Sequence, residues 1–284
     1  MKHYILVNPV SGNKKGLKHG IIAKKLLNKY NIDATIVVSE YPKHLTKIAK
    51  KLSLKHKCRF YSIGGDGTLN EIITGIVGSD SEIVVIPCGT GNDFVKSISK
   101  FMSLRKIIIN SINKLPTPTD VLKINNDKYC INILNCGFDA MVAKNVDYFR
   151  IVPFISGKMK YNLAIFYTLL TNKNYKFKLR TNTCTKKGNY TLVAIANGKY
   201  YANVQDGILD VCAIDSTRVR QKIILLPKYK QGKHIGLKQA KFYRTDFVHL
   251  VSSKDFPVSI DGEVIYTNKL NIKIIKKAIN IVHI

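Results

Sequence analysis

The sequence predicts an α/β protein in two domains, an N-terminal α/β domain with a mostly parallel sheet and a C-terminal β-sandwich domain. Three observations predict it. Four strand-then-helix units follow one another between His3 and Phe94, the alternation that builds a parallel sheet covered on both faces. Beyond Leu115-Pro116-Thr117-Pro118-Thr119 the pattern turns to short apolar runs in series, as in an antiparallel sandwich or barrel. The polar loops of the first half all follow strands, at the carboxyl edge where such sheets bind ligands.

The elements run in this order. Residues 3–7 form a first strand that stops at the turn pair Asn8-Pro9. The loop Asn8-Pro9-Val10-Ser11-Gly12-Asn13-Lys14-Lys15-Gly16 follows, then a helix marked by Leu17, Ile21, Ile22 and Leu26. That loop can lay amide N–H groups and Ser11 along a phosphate chain, although it lacks the Gly-x-x-x-x-Gly-Lys-Ser/Thr pattern. Strand 34–38 leads into Ser39 and a helix near 45–52. Strand 59–63 then meets Gly64-Gly65-Asp66-Gly67-Thr68-Leu69-Asn70, which opens a helix carrying Leu69, Ile72, Ile73 and Ile76. Glycines here let the backbone come close to a ligand, and the helix start offers unpaired N–H groups to a phosphate. A carboxylate at that point, Asp66, makes sense beside a polyanion when Mg²⁺ lies between them. Strand 83–86 ends at a second glycine-rich turn, Pro87-Cys88-Gly89-Thr90-Gly91-Asn92-Asp93-Phe94.

A domain boundary is predicted near 117–121. The strands expected beyond it are 119–124, 129–136, 175–180, 190–196, 208–214, 247–252, 258–260 and 270–275, with one long helix over 156–170. Asp261-Gly262 is by itself a tight hairpin signal.

Composition bounds the function. The chain has 284 residues, 45% of them apolar, enough for a full core. No run reaches the ~18–20 apolar residues that span a bilayer, and the N-terminal run reads as a strand, not a signal peptide. Cys58, Cys88, Cys130, Cys136, Cys184 and Cys212 include no Cys-x-x-Cys pair. Buried free thiols in a reducing cytoplasm are therefore expected. Net charge is +28, from 46 Lys and Arg against 18 Asp and Glu, which predicts attraction to something anionic. The lysines are scattered, and no recognition motif accompanies them, so a specific nucleic-acid partner is not expected.

With these residues in view, the chain resembles the bacterial diacylglycerol-kinase-like lipid kinases, whose catalytic fold is shared with ceramide and sphingosine kinases. The resemblance runs almost end to end. It rests on Asn8-Pro9-x-Ser11-Gly12, Gly64 to Asn70, Pro87-x-Gly89-Thr90-x-Asn92-Asp93-Phe94, Asn135-x-Gly137-Phe138-Asp139-Ala140, Gly157-Lys158-x-x-Tyr161, Asp206-Gly207-Ile208-Leu209-Asp210 and Asp261-Gly262-Glu263. The glycine-Asp-glycine turn alone is also found in NAD kinases and phosphofructokinases; the ordered set is specific.

The resemblance implies a Rossmann-like, phosphofructokinase-like nucleotide domain over 1–120 and a β-rich, substrate-facing domain over 121–269, with 270–284 returning to the first. It implies ATP and Mg²⁺ as cofactors and a lipid alcohol as acceptor. Gly64, Gly65, Asp66, Gly67, Thr68, Leu69, Asn70, Thr90 and Ser39 would line the ATP site, with Asn8, Ser11 and Asn92 from the neighbouring loops. Asp66 and Asp93 suit the catalytic Mg²⁺ or the orienting of the hydroxyl. A structural Mg²⁺ would sit at Asn203, Asp206 and Ile208. Glu263, with Asp261 beside it, would take the proton, and the sequence leaves open which of Asp66, Asp261 and Glu263 is the base. An acidic pair from the second domain is expected to meet the nucleotide at the sheet's carboxyl edge. The protein is expected in the cytoplasm, peripheral on an anionic membrane surface, with a homodimer left open. The chain departs from the family at Ala202-Asn203-Val204, which replaces a longer glycine-rich loop. That keeps two other readings in play: a kinase of a soluble substrate such as NAD, and a catalytically silent nucleotide- or lipid-binding paralogue.

Overall fold

The computed structural model describes residues 1–89, 92–98, 102–152, 156–171, 173–197, 205–230 and 236–284. The chain divides into two compact units. One holds Met1–Leu122, the stretch ending at Gly207, and Ile275–Ile284; the other holds Lys123–Asn197 and Ile208–Ile274.

The first unit begins with β1 (Lys2–Val7), the short α1 (Ser11–Lys14), α2 (Gly16–Asn28), β2 (Ala34–Val38) and α3 (His44–Ser53). It continues through β3 (Cys58–Gly64), α4 (Asp66–Ile76), β4 (Glu82–Pro87), α5 (Asp93–Ile98), α6 (Leu104–Ile112) and β5 (Thr117–Ile124). Strands β2, β1, β3 and β4 lie side by side and parallel, with Ile5 opposite Ile36 and Tyr61, and Tyr61 opposite Val84. All seven residues of β3 are buried, as they must be in a strand covered on both faces. Ile5, Val7, Tyr61, Ile63, Val84 and Ile86 share one cluster with Ala23 and Leu27 of α2 and Ile107 and Ile108 of α6. The alternate residues Leu6, Phe60 and Ile83, equally buried, point to the opposite face.

The helix expected after β1 is present, but it is turned about its axis relative to the apolar spacing that announced it. Its buried residues are Gly16, Gly20, Ala23 and Leu27, whereas Leu17 and Ile21 are exposed. The reason is distance: a Cβ at Gly20 would lie 2.9 Å from a Val7 methyl carbon, so the small residues must face the strand. Helix α6, for which the sequence reading had no element, closes the same face.

At the opposite end of the sheet from the glycine loops, Arg59 and Glu82 form a buried ion pair, 5% and 4% exposed. Arg59 Nε donates to Glu82 Oε2 at 2.7 Å, and its terminal nitrogens reach the carbonyls of Ser111, Ile112 and Lys114 at 2.5–3.2 Å. A guanidinium thus satisfies the end of α6, whose last carbonyls have no partner within the helix.

The second unit holds β6 (Lys128–Cys130), β7 (Ile133–Gly137), α7 (Phe138–Arg150), α8 (Gly157–Thr171), β8 (Tyr175–Arg180), β9 (Thr185–Ala196), β10 (Leu209–Asp215), α9 (Val219–Lys230), β11 (Ala240–Thr245), β12 (Phe247–Ile260) and β13 (Glu263–Ile281). Its antiparallel order is β11-β10-β9-β7-β12-β13, and β8 pairs with the early halves of β9 and β12. The end of β13 belongs to the first unit, where Asn280 and Ile281 run parallel to Glu82 and Ile83 of β4.

Three differences from the sequence reading stand out. Helix α7 packs on the sheet through Phe138 and Val142, with Ala164 of α8 in the same cluster, so 156–170 is not the sole long helix of this half. Helix α9 was likewise not expected. The strand expected over 129–136 is two strands, because the amides of Ile131, Asn132 and Ile133 turn to the Asp261 carboxylate instead of a ladder partner. The cysteines stand as free thiols, and burial pushes those of Cys130, Cys136 and Cys212 upward, Cys212 to about 12. Such thiols stay protonated and unreactive.

Glu82→Gln should destabilise the protein by about 3–5 kcal/mol in guanidinium chloride unfolding, because Arg59 is left charged and buried without its partner. Replacing Arg59 and Glu82 together by Met should recover most of that loss. A single Glu82→Gln variant with an unchanged midpoint would contradict this.

Candidate functional site

The polar loops read from the sequence come together at the carboxyl edge of the parallel sheet, and glycine backbones are what let them touch. A Cβ on Gly12, whose φ is +57°, would lie 2.1 Å from the Cys88 carbonyl oxygen, and one on Gly89 would lie 2.5 Å from Gly65 Cα. A Cβ on Gly64 would meet the Thr68 side chain at 2.2 Å. Backbone bonds tie the same loops: Asn8 N–H donates to the Ile63 carbonyl at 3.2 Å and Cys88 N–H to that of Gly64 at 2.8 Å. Asn8 Nδ2 donates to Thr68 Oγ1 at 3.2 Å, Asn8 Oδ1 accepts Val10 N–H at 3.1 Å, and Ser11 Oγ donates to the Asn8 carbonyl at 2.8 Å. Ser39 joins the edge, its N–H donating to the Val7 carbonyl at 2.8 Å.

Helix α4 starts from Gly65, which is extended and gives no side-chain cap. Its first amides therefore have no side-chain oxygen from the N-cap position to meet them. A Cβ on Gly67, in that first turn, would meet nothing within 4 Å, so the turn has an open side. Leu69 points into the core and is buried, so its side chain belongs to packing. Asn70 is half-buried and accepts from Thr74 Oγ1. Thr90 lies outside the described residues.

Asp66 is the first residue of α4, yet its carboxylate serves the next loop. Oδ2 accepts Asp93 N–H at 3.1 Å and Oδ1 accepts Phe94 N–H at 3.2 Å, which caps the start of α5. Asn92, at φ +51°, folds back on its own loop, accepting Gly89 N–H at 3.1 Å and donating to the Gly89 carbonyl at 2.7 Å. Its side-chain amide is thus committed to the loop. The Asp93 carboxylate is exposed and pairs with Lys96 at 2.7 Å. Among the described residues no group of three or more His, Cys, Asp or Glu could hold a metal. One carboxylate at a phosphate-suited turn fits a Mg²⁺ that arrives with a nucleotide, not a cage made by protein alone.

In the second unit, Asp261 and Gly262 both have positive φ, +45° and +96°. They form the two-residue turn joining Ile260 to Glu263, as a hairpin of this type requires. The Asp261 carboxylate accepts the N–H groups of Ile131, Asn132 and Ile133 at 2.9–3.2 Å and the Cys130 thiol at 3.1 Å. Burial, then the Asp261 charge, holds that thiol well above its ordinary range. Glu263, by contrast, is exposed. Of this pair, Asp261 holds the turn in place, and Glu263 is presented to solvent.

Sequence reasoning missed Asp120, which is buried. Its carboxylate accepts Gly207 N–H and Lys277 N–H, each at 2.7 Å. It anchors the turn that carries Asp206 and Ile208, and a Cβ on Gly207 would lie 2.9 Å from Lys276 Nζ. An ammonium thus stands close to the turn expected to hold a structural metal. Asn203 lies outside the described residues. No local signal could have exposed Asp120, since its partners are main-chain amides far along the chain.

Known families cover both halves of the chain. Residues 2–124 match the model of the diacylglycerol kinase catalytic domain, and residues 132–283 that of the YegS C-terminal NAD kinase beta sandwich-like domain. A Staphylococcus carnosus (strain TM300) protein named "Putative lipid kinase" is 26% identical over 237 residues, covering 79% of this chain and 76% of that protein. "Putative lipid kinase YtlR" of Bacillus subtilis (strain 168) is 24% identical, covering 94% and 95%. A solved structure titled as a putative diacylglycerol kinase from Bacillus anthracis str. Sterne superposes with a TM-score of 0.78 at 18% identity, over 100% of this chain and 97% of that one. A Rossmann-like α/β catalytic domain followed by a β-sandwich-like domain defines a two-domain kinase, a class of protein that uses ATP. Within that class, this chain belongs to the diacylglycerol-kinase-like lipid kinase family.

Two outcomes test the site. Gly89→Ala should weaken ATP binding at least about tenfold by calorimetry with an unchanged circular dichroism spectrum, because the added methyl collides with backbone that cannot yield cheaply. Asp261→Ala should cost about 3 kcal/mol or more in denaturant unfolding, since three amides lose their acceptor at ~1–3 kcal/mol each. An unchanged midpoint would show that Asp261 positions nothing.

Proposed function

We propose that this chain transfers the γ-phosphate of ATP to the hydroxyl of a membrane lipid, a diacylglycerol or a similar lipid alcohol. The observation that carries the reading is the fused loop edge: three glycine-bearing turns in backbone contact around the uncapped, open-sided start of α4. Phosphoryl transfer asks for positioning and charge neutralisation more than for covalent help. Asn8, Ser11, Ser39, Thr90 and the turn from Gly64 to Asn70 hold the nucleotide in this reading. Asp66 does two things at once, keeping α5 in place and standing as the carboxylate that would meet a Mg²⁺ brought by the phosphates. That ion, when bound, neutralises charge on the phosphate chain. Asp93, whose N–H the Asp66 carboxylate holds, would orient groups around the same phosphates.

In the chemical step the lipid hydroxyl oxygen forms a bond to the γ-phosphorus, and the bond from that phosphorus to the β,γ-bridging oxygen breaks. ADP leaves and the hydroxyl proton passes to Glu263, whose exposed carboxylate suits an acceptor that must meet a bulky substrate. A structural Mg²⁺, if Asp206 and Ile208 held one, would take no part in the step; the Lys276 ammonium near Gly207 already supplies positive charge to that turn.

Action at a membrane surface has independent support. No helix among the described residues is long and apolar enough to cross a bilayer. Helices α7 and α8 nevertheless expose Tyr148, Met159, Phe166 and Leu170, and Ile151 just past α7 is exposed as well, on a chain of net charge +28. Apolar side chains with cationic surroundings favour the interface of an anionic leaflet, each nearby Lys or Arg adding about 1 kcal/mol. The inner face of the cytoplasmic membrane is the location this implies.

The deciding assay incubates the protein with labelled ATP, Mg²⁺ and mixed micelles of diacylglycerol, ceramide and other lipid alcohols, with NAD in a parallel reaction. Label is expected in a phospholipid product; label in NADP alone, or in none, overturns the lipid assignment. Glu263→Gln should lower kcat by about 10²-fold or more with an unchanged unfolding midpoint. Asp66→Asn should also lose turnover, and should in addition lose about 1 kcal/mol of stability because one amide of α5 loses its acceptor.

A further inference from the structure

One exposed sheet face of the second unit carries cations that no acid answers. Strands β9, β8, β12 and β13 lie side by side in that order, through the pairs Lys178–Lys187, Arg180–His249 and Val251–Lys269. Residues directly opposite in an antiparallel pair share a face, as do residues two apart on one strand. Those rules put Lys176, Lys178 and Arg180 of β8, Lys187 of β9, and Lys269 and Lys273 of β13 on one surface. All six are exposed, while Phe177, Leu179, Leu250 and Leu270, which alternate with them, are buried. No acidic residue stands opposite β8 on either side, nor between 247–251 and 269–273. Among the described residues none of the six pairs with a carboxylate.

Sheet stability alone does not select this arrangement. Lys178 and Lys187 are directly opposite, and like charges so placed repel. His249, between Arg180 and Asn271 on the same face, feels the field: burial, then Lys269, Arg180 and Lys178, lower its pKa. Strands ~4.8 Å apart make the array roughly 14 Å wide, and the run from Lys176 to Arg180 is roughly as long. The cations therefore form a two-dimensional array. A polymer strand would follow a single line of them, whereas a flat anionic surface meets them all. The rings on this face, Phe247 and His249, are half-buried, so no exposed aromatic platform is offered to bases.

We infer that this sheet face docks electrostatically on the anionic headgroups of a lipid leaflet. The inference rests on the membrane part of the proposed function and names a surface that makes the contact. It assigns capture of the leaflet to the array, a different task from the apolar contact that α7 and α8 offer. The competing explanation is that a lysine-rich chain carries lysines on every exposed strand, and that net charge alone acts.

Sedimentation of the full chain with vesicles separates the two. The vesicles are phosphatidylcholine alone, or phosphatidylcholine and phosphatidylglycerol in equal parts, at low and high salt. Wild type should bind the anionic vesicles at least about tenfold more tightly, and high salt should remove the difference. Replacing Lys178, Lys187 and Lys269 by Gln takes three charges from the array; replacing Lys25, Lys51 and Lys55, exposed in the first unit, takes three from elsewhere. The array variant should lose at least about tenfold in affinity for anionic vesicles, and the other less than about threefold. The array variant's unfolding midpoint should be no lower than that of wild type, because the change relieves repulsion. Equal losses from the two variants overturn the inference, as does an array variant that binds like wild type or a wild type indifferent to anionic lipid. Single-stranded DNA bound more tightly than the vesicles, and released by the array variant, overturns it in favour of a nucleic-acid surface. Activity on lipid dispersed in neutral detergent is read alongside. A chain that docks through the array but phosphorylates no lipid refutes the lipid assignment and leaves the docking face standing.

Discussion

The loop edge of the first unit depends on backbone meeting backbone. Gly12 touches the Cys88 carbonyl and Gly89 touches Gly65 at separations that leave no room for a Cβ. Van der Waals contact between main chains is short-ranged and unforgiving, so these glycines fix the loops to within a fraction of an ångström. That closeness brings the ends of β1, β3 and β4 into one surface, and the open side of α4's first turn becomes its centre. Were any one loop held a side chain further away, the amides of α4 would face a gap too wide for one phosphate chain to bridge.

A second device recurs in both units. With 18 acidic residues against 46 basic ones, carboxylates are scarce, and three of those described gather two or more main-chain N–H groups each. Asp66 holds the start of α5, Asp120 ties Gly207 to Lys277, and Asp261 gathers three successive amides. A carboxylate that accepts several N–H groups is a strong local anchor, and it can pull chain away from regular structure, as at the break between β6 and β7. Basic residues outnumber acidic ones by 28, so most of their charge has no carboxylate to meet. Their charge acts at long range and draws the protein to anionic surfaces. Local order and surface attraction thus follow from one distribution of charge.

Much of this was legible in the sequence. The alternation of strand and helix gave the parallel sheet, and glycine placement after strands gave the edge where loops converge. The Asp-Gly pair gave the hairpin turn before Glu263. Helices α7 and α9 were not read, although Phe138, Val142, Val146 and Phe149 have helical spacing; the β-rich neighbourhood masked it. The orientation of α2 was misjudged because Leu17 and Ile21 are larger than Gly20 and Ala23, and size was taken for burial. Asp120 was beyond reach for another reason. Every residue but proline offers an N–H group, so no side-chain pattern betrays a carboxylate whose partners are amides at 207 and 277.

The same logic explains why Asp261 and Glu263 part company despite standing two residues apart in one motif. A tight turn with two left-handed residues needs a reason to persist when the first of them is not glycine. The three amides at 131–133 supply it, and they occupy the Asp261 carboxylate in doing so. A group that holds several N–H donors cannot easily turn to take a proton from a substrate. Glu263 begins the next strand, and its exposed side chain carries no such duty. One acid makes the turn and the other is presented by it, so two residues that read as a pair in sequence have different surroundings in the structure.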